Sequence, residues 1–217
     1  MEYTLIRAKR KTIAVQITKE GEVVVRAPRL ASRRCIDAFL REKEAWIQAA
    51  RQSVRARMTR YAPVVLQDGA PLPYLGGTLT LRAWAHADFA LRGNSLYFPQ
   101  AAALDDLIRF LRAQAETLLR SRIAFYCEKM GVAISGMRLS SAQARYGSCN
   151  VQDKLNLSWR LIFFPPAQVD YIVVHELSHV RHKDHSAAFW NEVAAVLPDY
   201  KLRQKRLRED QGLMYIL

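Results

Sequence analysis

The sequence is poor in cysteine, in glycine-rich loops and in long apolar runs. Its three cysteines, Cys35, Cys127 and Cys149, are an odd and scattered set, unlike a disulfide framework. No apolar run approaches the ~18 residues that a membrane span needs. The basic start, MEYTLIRAKRK, is not followed by the apolar core of a secretory signal. A Walker-type phosphate loop is missing, as are internal repeats and low-complexity tracts. These absences predict a soluble, cytoplasmic protein with no membrane partner.

What is present is a globular composition with an uneven charge. Half of the 217 residues are apolar and 24% are charged, enough for a real core and unlike a disordered chain. The net charge is +13, from 33 Lys+Arg and 20 Asp+Glu. Residues 1–60 hold 15 Lys+Arg against 6 Asp+Glu, so the first quarter carries +9 of the excess. Such a patch suits nucleic acid, nucleotides or other acidic partners, and equally a solvated face that aids solubility.

Pattern along the chain predicts an α+β fold. Tyr3–Ile6, Thr12–Thr18 and Val23–Val25 are rich in β-branched residues and read as strands. Ser32 is a plausible N-cap for one long helix over 32–61, with Ile36, Phe39, Leu40, Trp46 and Ile47 at helical spacing. Asp68-Gly69 and Gly76-Gly77 punctuate short strands through Tyr97. A second helix is expected from Ala101 to Met130, stopped by Gly131. Segment 137–164 reads as extended, Pro165-Pro166 opens a third helix, and two short helices follow over Ala187–Val196 and Tyr200–Arg208. The expected division is a β-rich part over 1–100, containing the long helix, and a mostly helical part over 101–217.

Four of the five histidines fall within eleven residues: His175, His179, His182 and His185. The first two frame an HExxH pattern, His175-Glu176-Leu177-Ser178-His179, which chance would produce only about 0.005 times in this composition. Histidines four apart on a helix are about 40° apart around its axis, so both can reach one metal ion. Glu176 sits about 100° round, placed to touch a water at the metal's open position. Val169, Val173, Leu177 and Val180 lie on the opposite side and predict a buried stripe. A catalytic Zn²⁺ takes a third protein ligand. His182 is nearly in line with the pair but about 4.5 Å beyond His179 along the axis. His185 is better placed if the helix ends near Arg181–Lys183 and the chain folds back, with Asp184 and Ser186 as capping residues. Glu192 is a further candidate ligand.

The stretch HELSHVRHKDHSAAFW resembles the HExxH-x5-HSxxFW signature of the YgjP-like zinc metallopeptidases, which are similar to the SprT-like group. Arg145-Tyr146-Gly147-Ser148-Cys149 is similar to that family's RWGSC segment, with Tyr146 in place of Trp. Leu157–Leu161 resembles its following strand, and Pro198-Asp199-Tyr200 its segment after the metal site. The resemblance implies a zincin-like catalytic part, Zn²⁺ held by His175, His179 and His185, and Glu176 as general base. The implied activity is peptide hydrolysis by metal-activated water. Arg145, Tyr146, Arg160 and Tyr171 are candidate oxyanion donors, each equally at home as a packing or solvated residue. Cys149 reads as a small packed residue. Two alternatives stand beside a peptidase acting on peptides or proteins. One is a metal-dependent nucleotide phosphohydrolase, and the other is a nucleic-acid-associated protease that uses the basic N-terminal part.

Overall fold

In the computed structural model, which describes residues 2–217, the β-branched segments near the start become strands β1 (Thr4–Ala8), β2 (Ala14–Ile17) and β3 (Val23–Pro28). β3 lies between the other two, parallel to β1 and antiparallel to β2. Its side chains alternate, so Val23, Val25 and Ala27 turn to one face and are buried. Helices α1 (Arg33–Glu42) and α2 (Glu44–Thr59) supply Ile36, Leu40 and Ile47 to the same core. Ser32 caps α1 as expected, its hydroxyl accepting from the Cys35 N–H at 3.2 Å. The single helix expected over 32–61 is broken at Lys43. At helical spacing, the stripe from Leu40 to Ile47 puts this lysine on the core side, where a charged head is costly to bury. The chain bends there and the ammonium turns to Glu42, 2.8 Å away. Trp46, expected on the apolar stripe, is 53% exposed.

Residues up to Tyr61 form one compact unit and Ala62–Leu217 a second. The second begins with a sheet of β4 (Pro71–Tyr74), β5 (Gly77–Trp84), β6 (Ala90–Arg92) and β7 (Ser95–Pro99), in the order β4-β5-β7-β6. A two-residue turn, Leu75-Gly76, joins β4 to β5 with φ of 47° and 79°, the left-handed geometry that favours glycine. The Leu75 N–H donates to the Ile162 carbonyl at 2.8 Å, and a Cβ on Gly76 would lie 2.8 Å from Pro165. The hairpin tip is therefore pressed against the chain just before the histidine helix.

Helix α3 (Leu104–Met130) buries one stripe, including Leu107, Leu111, Ala115, Leu119 and Ile123. Gly131 ends it at φ 62°, as its sequence position predicts. A small sheet follows, β8 (Gly136–Ser140), β9 (Gly147–Cys149) and β10 (Lys154–Ser158), in the order β8-β10-β9, so β9 lies at an edge. The extended reading of 137–164 holds for these three strands, not for the loops between them or beyond Ser158. Trp159–Phe163 wind into a buried 3-10 turn, whose Ile162 and Phe163 carbonyls accept from the Leu75 and Gly76 N–H groups. Helices α4 (Pro166–Arg181), α5 (Ala187–Val196) and α6 (Tyr200–Glu209) complete the unit with a closing turn over Gln211–Tyr215. The fold is α+β, and among the described residues no helix is long and apolar enough to cross a membrane.

Candidate metal centre

Sequence polarity fixes the orientation of α4. Of the expected stripe, Val169, Val173 and Leu177 are fully buried, as is Val174, each burial contributing roughly 1.5–3 kcal/mol, whereas Val180, in the last turn, is only partly buried. Asp170 anchors the helix to α3 through a bidentate pair with Arg122, at 2.6 and 2.9 Å. With that face committed to the core, His175 and His179 turn to the other side.

The helix ends where the sequence suggested. Arg181 donates to the Met130 and Gly131 carbonyls at 2.8 and 3.0 Å, closing the C-terminus of α3. His182 is already extended, at φ −124° and ψ 102°. Its carbonyl lies 2.9 Å from His179 Nδ1, which donates to it. Lys183 pairs with Asp153 in the turn between β9 and β10, and Asp184 accepts from the Ser186 N–H at 3.1 Å. These contacts fold the chain back and return His185 to the first two histidines.

Three imidazoles converge as a result. One nitrogen from each of His175, His179 and His185 lies within 4.8 Å of the others. The Nε2 atoms of His175 and His185 are 3.2 Å apart. Two nitrogens bonded to one tetrahedral zinc at ~2.0–2.1 Å would lie about 3.3 Å apart, so the spacing fits. The donor chemistry fits as well. His179 has its Nδ1–H engaged by a carbonyl, which leaves Nε2 as its lone-pair atom. A single proton between the three nitrogens can serve two of them, whereas a divalent ion serves all three. Burial and the neighbouring imidazoles push His175 down to about 3, so it is an uncharged donor throughout the neutral range. Phe189 from α5 is fully buried against the triad, its ring centre 4.6–4.9 Å from each imidazole. Trp190 stacks on His185 at 5.8 Å and on Tyr200 at 5.4 Å.

Glu176 lies beside this group, buried between α4 and the edge strand β9. Burial raises its carboxyl to about 7, against the smaller opposing effect of a hydrogen bond from the Cys149 N–H. Gly147 makes the approach possible. A Cβ there would come within 2.9 Å of Glu176 Cγ and 2.7 Å of Leu157 Cδ2. His175 and Glu176 open into a cavity of about 310 Å³, whose walls include Arg145, Tyr171, Leu207 and Arg208.

The remaining candidates separate clearly. His182 turns away from the triad, its Nε2 3.1 Å from Glu192, whose other oxygen lies 2.6 Å from Arg181. Arg160 is buried and spent on main-chain oxygens of Ser141 and Leu217, each at 2.8 Å. The Tyr146 hydroxyl donates to the Leu207 carbonyl at 3.2 Å, and its ring meets Phe164 edge-on. The Tyr171 hydroxyl accepts from Gln204 at 3.2 Å. Burial raises the Cys149 thiol, which suits a packed residue. Three contributions escape residue-by-residue reading: the Cys149 main-chain N–H, the space left by Gly147 and the shelf formed by Phe189. An N–H has no sequence signal, while the glycine and the aromatic pair stand in the two family-like segments.

Comparison with known proteins places the chain. Two crystal structures of metallopeptidase zymogens are similar to parts of it. Jannalysin of Methanocaldococcus jannaschii is 17% identical with a TM-score of 0.36, covering 41% of this chain and 94% of its own. Abylysin of Pyrococcus abyssi is 22% identical with a TM-score of 0.37, covering 43% and 90%. No curated protein sequence matches. The sequence model of the YgjP-like metallopeptidase domain matches residues 11–210, nearly the whole chain, and the protein belongs to that family of zinc-dependent peptide hydrolases.

Proposed function

We propose that His175, His179 and His185 hold the catalytic zinc of this metallopeptidase, that Glu176 is its general base, and that the catalytic part is residues 101–217. The observation that carries this reading is the convergence of three lone-pair nitrogens beside one buried carboxyl group. When bound, the metal supplies a Lewis acid that lowers the pKa of water toward ~7 and polarises the scissile carbonyl. The Cys149 N–H and the close wall at Gly147 hold the Glu176 carboxylate in one place. From there it accepts the proton of the attacking water and passes it to the departing amine. The His182 carbonyl holds the His179 ring, and Phe189 holds all three rings, so the donor set is organised in advance.

The family match favours peptides as substrates over nucleotides. A nucleotide or nucleic-acid partner rests on the basic residues of 1–60 alone. The three cysteines are free thiols, which suits the reducing cytoplasm as the compartment.

The direct test is Glu176→Gln. Zinc content measured by mass spectrometry should stay at one ion per chain, while peptide hydrolysis falls by roughly 10²–10⁴-fold. Undiminished turnover with zinc in place would remove Glu176 from the mechanism.

A further inference from the structure

The cavity that opens from His175 and Glu176 is cationic in a way the hydrolytic step does not require. It follows the outward face of α4 back from the triad toward Tyr171 and Ile172. Arg145, on the approach to β9, and Arg208, near the end of α6, both line it. Among the described residues neither guanidinium has an ion pair or hydrogen bond with the protein. Several other arginines of this unit are committed: Arg203 on the same helix bonds Asp199 and the Ala167 carbonyl, Arg122 holds Asp170, and Arg160 and Arg181 hold main-chain oxygens. The charge of Arg208 reaches the Tyr171 hydroxyl inside the cavity. Glu176 is the sole acidic residue in the lining, and it is occupied at the hydrolytic end. Ile172 and Leu207 add apolar wall suited to the methylenes of a side chain.

We propose that Arg145 and Arg208 form a carboxylate-binding subsite, so that this peptidase selects substrates carrying a carboxylate close to the bond it cuts. The proposal rests on the peptidase reading of the His175–Glu176 site. A guanidinium presents a planar fork that matches a carboxylate, and two such forks on one cavity reject a neutral amide of the same shape. The carboxylate can come from an Asp or Glu side chain or from the end of a peptide chain. Both present the same group to the arginines.

The experiment uses the zinc-loaded chain and one peptide scaffold. At each residue flanking the cut bond the scaffold carries Glu, Gln or Lys, and every peptide is made with a free and an amidated C-terminus. The expected kcat/KM for the carboxylate peptide exceeds that of its amide counterpart by about tenfold or more. A Glu-over-Gln preference, indifferent to amidation, identifies a side-chain carboxylate; a preference for the free C-terminus identifies a chain end. Arg145→Gln and Arg208→Gln should each pull the ratio toward one, and Arg208→Glu should move it toward Lys. Equal kcat/KM for carboxylate and amide peptides in both sets overturns the subsite, as does a preference that survives both arginine substitutions. Binding of the same peptides to zinc-loaded Glu176→Gln, read by calorimetry, separates the two levels. Charge-selective binding without any cleavage by the parent protein would leave the subsite standing and remove the peptidase reading. Cleavage without charge preference does the reverse.

Discussion

Two clusters sit at the end of α4, made from the same residue types and only a few residues apart. In one, His175, His179 and His185 bring three nitrogens together with no acidic side chain between them. In the other, Arg181 and His182 surround Glu192, with contacts of 2.6 and 3.1 Å. The second cluster supplies its own counter-charge and ties the middle of α5 to the end of α4. The first is left with converging lone pairs, an arrangement that the protein's own atoms do not complete. Histidine content alone therefore does not distinguish a metal site from a structural cluster. What distinguishes them is what the ring nitrogens face: His182 Nε2 faces a carboxylate, whereas the nitrogens of the triad face one another. His179 shows both conditions in one ring, with Nδ1 spent on the His182 carbonyl and Nε2 left for the centre.

The largest expected effect follows from breaking the first cluster. His185→Ala removes one of the three proposed donors, so zinc affinity in a competitive chelator titration should fall by more than the roughly 10–100-fold typical of losing an outer partner. A loss confined to that range would move the third donor elsewhere. A second effect concerns the carboxyl beside the triad in the metal-free protein. Its proton affinity is raised in the fold, so the stability it contributes is fully present below its unfolded value of 4.5 and is lost as pH rises toward about 7. Metal-free Glu176→Gln should therefore be the more stable protein at pH 8, by up to about 3 kcal/mol, with the advantage gone at pH 4. Urea titrations at the two pH values check this, and a variant less stable at pH 8 contradicts it.

Much of this comparison was legible in the sequence, because it is built from local rules. HExxH spacing sets two imidazoles on one helix face, the apolar stripe opposite sets that face outward, and Asp184 and Ser186 mark the return of the chain. The Ser32 cap, the Gly131 stop and the Pro166 start are equally local, and the structure has all three. What could not be read depends on contacts between distant segments. Lys43 interrupts the helix between Leu40 and Ile47, both of which pack into one core with Val23 and Val25. Trp159–Phe163 leave the extended form where the Leu75-Gly76 turn meets them. The support for Glu176 comes from the empty side of Gly147 and a main-chain N–H at Cys149, about thirty residues before it, which no periodicity reveals.

Gly147 offers an intermediate test, since the atoms nearest to a Cβ there belong to Leu157 and to Glu176, the proposed base. A methyl group at this position would sit 3.0 Å from a Glu176 carboxylate oxygen and closer still to Leu157. Either the carboxylate or the edge strand must move by a few tenths of an ångström or more. Gly147→Ala should lower kcat by roughly 10–100-fold, the penalty of a misplaced catalytic group, with zinc content unchanged. Loss of zinc in this variant would show that β9 supports the donors as well as the base.

The smallest effect belongs to the second cluster, and it is the sharpest check on the comparison. His182 touches the centre through its carbonyl, which accepts from His179 whatever side chain stands at 182. Its imidazole is half-buried and faces Glu192, whose other oxygen stays bridged to Arg181 when the ring is removed. His182→Ala should thus leave zinc affinity within about tenfold of the parent, below the usual cost of losing an outer hydrogen bond. The same variant should lose no more than about 1 kcal/mol of stability, the scale of a single polar contact. The two readouts together separate the main chain of residue 182 from its side chain. If zinc affinity fell as far in His182→Ala as in His185→Ala, the imidazole itself would belong to the centre, and the division between the histidine that faces Glu192 and the three that face one another would be lost.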